Sequence, residues 1–309
     1  MSFVGTLICC GFGGLIFKYG DQTHTLLQPP TELGIQDYTV GFTKSKIKVL
    51  KRRFQDATKS FLPGLLSPGV YLYPIVSYWE LLSTPEYWTS SIPIMVVYLM
   101  LYAVVTFVYL LTILPVYAPL SVLFGPVGIA IAWVHMFLHT NLLTMMTIRM
   151  SQMNSFTMYQ GMITRRLDVN IIVDGDEQPV KYYYPVASTY FFVNHLPWKI
   201  SEYIAGFITL CGLLLISAIP VLGPFAFHAL IAPFITRIYW APYLRYQKVN
   251  NLQREARFYS MLGQYTAFGL VAGQLESWPI LSAFAYSAHA TAICQWAQDL
   301  STSRTATTP

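Results

Sequence analysis

Charge is what this sequence lacks. Only 11% of its 309 residues are Asp, Glu, Lys or Arg, against about 25% in an average soluble domain. The few charges are also unevenly spread. None occurs from Tyr87 to Ile148 or from Tyr203 to Thr236, and between Arg257 and Asp299 only Glu276 is charged. Apolar runs of about 18 residues or more without charge read as membrane segments. With 54% hydrophobic residues, the chain is not read as a soluble globular domain.

Other absences narrow the function. The four cysteines, Cys9, Cys10, Cys211 and Cys294, show neither metal nor disulfide spacing. Cys211 and Cys294 read as core residues. Cys9 and Cys10 read as small buried thiols, with S-acylation the alternative. No Asn-x-Ser/Thr acceptor occurs, which fits a chain with little exposed to a lumen. Residues 1–17 carry no charge. They lack the basic start and small-residue cleavage site of a signal peptide, and read as an uncleaved apolar segment. "GFGG" at 11–14 follows no strand, so it is not read as a dinucleotide loop. No nucleophile elbow and no Walker loop occur. Ser217, Ser277 and Ser282 have no acid and base partners evident in the sequence. The expectation is a non-enzyme with no catalytic residue, no metal and no cofactor, and without a nucleic-acid partner.

What is present is membrane chemistry. Residues 18–42 are polar, contain Pro29 and Pro30, and read as loop. In "TKSKIKVLKRRFQDATKSF" (43–61), Ile47, Leu50, Phe54, Ala57 and Phe61 recur at steps of three or four, one helical face. Seven Lys/Arg crowd the same stretch, among them Lys44, Lys48, Lys51, Arg52 and Arg53. A basic amphipathic helix of this kind lies on an anionic membrane surface with its apolar stripe down. Residues 67–88 carry Tyr71, Tyr73, Tyr78, Trp79, Tyr87 and Trp88, with Glu80 and Glu86. They read as an interfacial helix entering the bilayer at headgroup level. Ile92–Leu114 and Phe124–Ile148 are each long enough to span, joined by "PVYAPLS" (115–121) as a short uncharged turn.

Residues 149–201 form the largest polar insert. "DVNIIVDGDEQPVKYYYPV" (168–186) alternates around an Asp-Gly turn signal and reads as a short hairpin or ordered loop. Its acids Asp168, Asp174, Asp176 and Glu177 lack calcium-loop spacing. Two further apolar excursions follow, 202–237 and 258–298, each with a proline near its middle, Pro220 and Pro279.

Seventeen of the nineteen Lys/Arg fall in three clusters, 44–59, 149–199 and 237–257. Basic segments favour the cytosolic side. If all three clusters are cytosolic, the excursions 92–148, 202–237 and 258–298 are hairpins entering from one face. Their tips are PVYAPLS, IPVLGP with Pro220 and Gly223, and QLESWP with Glu276 and Pro279. The fold expected is all-α, a polytopic hairpin membrane protein with two long spanning helices and two proline-tipped hairpins. Its expected divisions are an N-terminal part (1–62), a helical membrane domain (63–300) with the insert 149–201, and a disordered tail (301–309).

Four stretches carry a family resemblance: "GVYLYPIVSYWELLSTPEYW", "FGPVGIAIAW", "AIPVLGPFAF" and "YTAFGLVAGQLESWPILSAFAYSAHATAICQWAQDL". The last is the most specific, with Phe268-Gly269, Leu275-Glu276, Pro279, Trp296-Ala297 and Asp299. Together, over about residues 65–300, the chain resembles the etoposide-induced-protein/CysZ-like membrane family, above all its fungal outer-spore-wall and lipid-droplet members. It departs from the usual pattern at "AICQWAQD", where a Gly-Ala pair ordinarily precedes Trp-Ala. The resemblance implies long spanning helices and proline-tipped hairpins. For fungal members it implies residence in the endoplasmic reticulum or on lipid droplets and a role in spore-wall assembly; for bacterial members, sulfate uptake.

Three intramembrane polar residues are candidates for function. His135 and His139, at i and i+4 in "HMFLH", share a helical face. They read first as hydrogen-bonded bundle histidines, with Thr140, Asn141 and Thr144 at hand, because a metal box would need further histidine motifs. Glu276 reads as an acid at a hairpin tip that reaches the far interface or caps the next helix with Ser277; the alternative is a proton- or ion-coupling group. The partners expected are membrane lipids, anionic headgroups and the neutral-lipid droplet surface, with a homo-oligomer left open. The competing expectation is a CysZ-like anion or ion transporter.

Overall fold

The computed structural model describes residues 34–151, 153–167, 189–247, 249 and 251–307. Among them every regular element is helical. The expected hairpin at 168–186 and the apolar start, with Cys9 and Cys10, lie outside the described residues.

Helix α1 is Ile35–Leu65. It starts well before residue 43 because Tyr38 and Phe42, one turn apart, are buried; Tyr38 sets its ring 4.8 Å from that of Tyr190. A tertiary contact thus extends a helix that local periodicity does not announce. Helix α2 is Pro68–Ser83, followed by a 3-10 turn at Pro85–Tyr87. The residues expected at headgroup level divide between surface and interior. Trp79 and Trp88 are exposed, whereas Tyr87 is buried and Glu80 pairs with Arg165 at 2.5 Å.

Helix α3 is Trp88–Thr112, α4 is Leu114–Val122 and α5 is Gly125–Ser151. The stretch expected as a turn, 115–121, is therefore a helix. Of its two prolines, Pro115 stands in the first helical turn, where the missing N–H has no partner to lose, and Pro119 lies inside the helix. Helix α6, Asn154–Thr164, follows, so the polar insert is partly helix and partly core: Met158 and Met162 are buried in the main hydrophobic cluster.

A π turn at Phe191–His195 runs directly into α7, Leu196–Ser217. Then come α8 (Leu222–Leu230), α9 (Ala232–Tyr246), α10 (Asn251–Ser260), α11 (Leu262–Glu276) and α12 (Pro279–Thr307). Helix α12 runs through 301–307, which contains no glycine or proline, so that part of the expected disordered tail is helical.

Among the described residues, three stretches are long and apolar enough to cross a membrane: Pro85–Val116, Gly125–Ser151 and Phe191–Ser217. The pair α8 and α9, bent by 58°, makes a fourth if taken as one broken span. The sequence marks the first two as long spanning helices and reads the third only from residue 202, as the shorter leg before Pro220; the helix instead starts earlier and includes both Lys199 and Glu202. Those two charges pair with each other.

The third excursion is different. Helices α11 and α12 form the centre of the protein. Phe268, Trp296, Tyr265 and Trp240 make one aromatic cluster, and α11 lies against α1, α2, α8 and α9. Glycine permits the closest of these approaches. A Cβ on Gly269 would fall 1.8 Å from the Ala232 carbonyl oxygen, and one on Gly263 would fall 2.0 Å from that of Phe61. The division at residue 62 therefore does not separate two bodies, since α1 is wedged against α11.

Candidate functional site

The site is built on α5. Four of its residues, His135, His139, Asn141 and Arg149, meet the two proline-marked tips from other parts of the chain.

At the second tip, Pro220 and Val221 make a three-residue turn in which Leu222 N–H donates to the Pro220 carbonyl at 2.7 Å. Val221 has φ of 62° and ψ of −54°, a strained γ-turn geometry for a β-branched residue. Its N–H stands 3.4 Å from His135 Nδ1. His139 lies 3.3 Å from Ser217 Oγ through Nε2 and 3.2 Å from Tyr109 Oη through Nδ1. Both histidines are bundle residues, but their partners come from α3, α7 and the tip. Asn141, Thr140 and Thr144 do not serve them: the two threonines bond to backbone carbonyls of their own helix. Gly223 completes the tip by allowing close contact, since a Cβ there would sit 2.4 Å from the Ser217 carbonyl oxygen.

At the third tip, α11 ends at Glu276 because Pro279 has no N–H to continue the ladder. Two side chains take over the freed Glu276 carbonyl. Asn141 Nδ2 donates to it at 2.8 Å and Ser282 Oγ at 2.6 Å, while Tyr98 Oη donates to Asn141 Oδ1 at 2.7 Å. The Glu276 carboxylate is fully buried and turned inward. Arg149 pairs with its Oε2. Tyr239 Oη donates to Oε1 at 2.7 Å, and His289 Nδ1 lies 2.7 Å from the same oxygen. Glu276 thus neither reaches far headgroups nor caps α12. It joins α5, α9, α11 and α12 through one carboxylate.

Arg149 is the partner that the sequence does not announce. It opens the polar insert and counts there as a cytosolic cation, yet it is 3% exposed. Arg257, the last of the third basic cluster, is likewise buried, 4.4 Å above the Trp240 ring. The one available signal is position: Arg149 closes the uncharged run of α5 and can turn back along it.

Ser277 and His228 also come together, 2.9 Å apart and buried. The same Nδ1 is 2.9 Å from the Pro224 carbonyl, which only accepts, so Nδ1 carries the proton. It cannot take one from Ser277, whose hydroxyl donates to the Gly273 carbonyl at 2.9 Å. The pair is a clamp between α8 and α11, without the arrangement of an activated nucleophile. Among the described residues no three or more His, Cys, Asp or Glu side chains are placed to hold a metal.

The contacts also fix where each tip lies along α5. The second and third tips meet α5 at 135–139 and 141–149, whereas the first tip adjoins its start at Gly125. The second tip therefore stops about 15 Å short of the first along α5, at 1.5 Å per residue.

Of the membrane-surface candidates, Lys44, Lys48, Lys51 and Arg52 are exposed on α1, beside Ile47, Leu50 and Phe54, which are exposed as well. Arg53 differs, being bridged to Glu255 of α10.

The chain is 35% identical to the outer spore wall protein LDS1 of Saccharomyces cerevisiae over 288 residues, covering 93% of this chain and 88% of that protein. It is 23% identical to the outer spore wall protein RRT8 of the same yeast over 291 residues, covering 86% and 82%. No family model matches, so the CysZ-like part of the resemblance finds no support. No solved structure matches. The chain belongs to the family of fungal outer spore wall proteins.

Proposed function

We propose that this chain is a non-enzymatic integral membrane protein of the endoplasmic reticulum and lipid droplets that handles lipid during assembly of the spore wall. One observation carries the reading: all three hairpin tips present apolar side chains outward. Leu123 and Phe124 at the first, Ile219 and Leu222 at the second, and Trp278 and Ile280 at the third are exposed. The acid of the third tip faces inward and is compensated. Such tips suit the apolar phase beneath a phospholipid monolayer, where no second aqueous side exists. The outward stripe of α1 adds a surface anchor. The relatives named outer spore wall proteins support the spore-wall part of the reading.

Two experiments test this. Tagged protein imaged through growth and sporulation should mark the endoplasmic reticulum and droplets; labelling confined to other membranes overturns the location. A yeast strain lacking both LDS1 and RRT8 is scored for outer-wall dye permeability with and without this chain. Lower permeability with the chain supports the role, and no difference contradicts it.

A further inference from the structure

A second feature of the molecule lies away from the hairpin tips. The N-terminal half of α1 lies beside the π turn and the start of α7, and between them is a cleft of about 270 Å³. Thr39, Phe42 and Thr43 line it from α1; Asn194, Trp198 and Ser201 line it from the other side. We propose that this cleft binds the phosphate headgroup of a membrane lipid, an inference that rests on the membrane reading above.

Three observations carry it. First, Asn194 is 6% exposed and its side-chain Nδ2 has no hydrogen-bond partner. A buried amide donor left unpaired is costly, and a phosphate oxygen is the acceptor that would satisfy it. Second, Lys46 does not line the cleft but stands next to two rings that do, with Nζ 5.4 Å from the Phe42 ring centroid and 6.0 Å from that of Trp198. Its pKa is lowered by burial and then by the neighbouring Lys199, so an anion beside it would relieve both effects. The nearest acid is already engaged: Glu202 pairs with Lys199 and accepts from Trp198 Nε1 at 2.7 Å. Third, the location selects a lipid. The cleft opens between a helix whose apolar stripe is exposed and the start of a helix apolar enough to span. Trp198 has the amphipathic ring that settles at headgroup depth, and Phe42 adds an apolar face beside it. Thr39 and Ser201 donate to backbone carbonyls but keep lone pairs for the hydroxyls of a glycerol or a larger polar head.

The test titrates the full chain in detergent with short-chain phosphatidic acid, counting bound lipid by native mass spectrometry. Lys46→Gln removes the cation and Asn194→Leu removes the amide at similar volume. Gln55→Ala, at an exposed uncharged position on α1, is the control. Each cleft variant is expected to weaken binding about tenfold, the loss of one hydrogen bond to a charged group, while the control binds as the parent does. Helix content and melting of the variants are read in parallel; equal binding by correctly folded Lys46→Gln and Asn194→Leu overturns the proposal. Inorganic phosphate at the same concentration should not displace the lipid; if it does, free phosphate is the ligand and the lipid assignment falls. Imaging the Lys46→Gln protein separates this site from the broader reading: loss of lipid binding with droplet residence intact places the cleft beyond targeting.

Discussion

Arg149 and Glu276 meet as an ion pair in the interior, 127 residues apart in sequence and both shielded from solvent. Removing either partner leaves an uncompensated charge, which costs about 3–5 kcal/mol in buried pairs. The two losses should differ. A carboxyl without its cation can take up a proton, whereas a guanidinium cannot shed one. Glu276→Gln is therefore expected to lower the melting temperature in detergent more than Arg149→Gln, and the double variant should recover part of the loss. Equal, additive losses would show that the two side chains do not act as a pair.

Gly269 lets α11 touch α9 at Ala232. Gly269→Ala should cost about 1–3 kcal/mol, as overpacking does, because the obstacle is backbone. Gly69 in α2 has nothing within 4 Å of an added Cβ. Gly69→Ala should be neutral or stabilise by up to about 1 kcal/mol through helix propensity. Thermal melts of the two variants check the contrast.

Val221 occupies a positive-φ position at the second tip. Such strain costs on the order of 1–3 kcal/mol for a non-glycine residue. Val221→Gly should therefore raise the melting temperature, while Val221→Pro, which cannot adopt φ of 62°, should lower it sharply.

Much of this architecture is legible in the amino-acid sequence. Charge-free runs locate the first hairpin, the prolines at 220 and 279 mark two tips, and the 3–4 spacing of Ile47, Leu50 and Phe54 defines a surface helix. Expectations fail where tertiary contacts decide. Residues 35–42 are helical because Tyr38 meets Tyr190, far away in sequence. Arg149 reads as cytosolic because clustering with other cations says nothing of which way its long side chain turns. Glu276 reads as a tip acid because nothing local names Tyr239 or His289 as its partners.

The α1 stripe gives a separate prediction. Ile47, Leu50 and Phe54 are exposed, so replacing them together with Gln should leave the fold intact. It should reduce flotation with anionic vesicles and droplet association. Arg53→Gln should instead loosen α1 from α10 by less than about 1 kcal/mol, since the bridge to Glu255 is partly exposed. Flotation assays paired with melting curves distinguish the two effects.

The most direct measurement concerns where the inward-bonded tips lie. In a chain whose four cysteines, Cys9, Cys10, Cys211 and Cys294, are replaced by alanine, single cysteines are placed by Leu222→Cys and Ile280→Cys. A membrane-impermeant maleimide is then applied to sealed microsomes and, separately, to microsomes opened to expose the lumen. Tips that stay within the apolar phase should take no label from either side, and should react only after detergent. Labelling of either tip from the lumen would mean that these hairpins cross, and would contradict the monolayer reading.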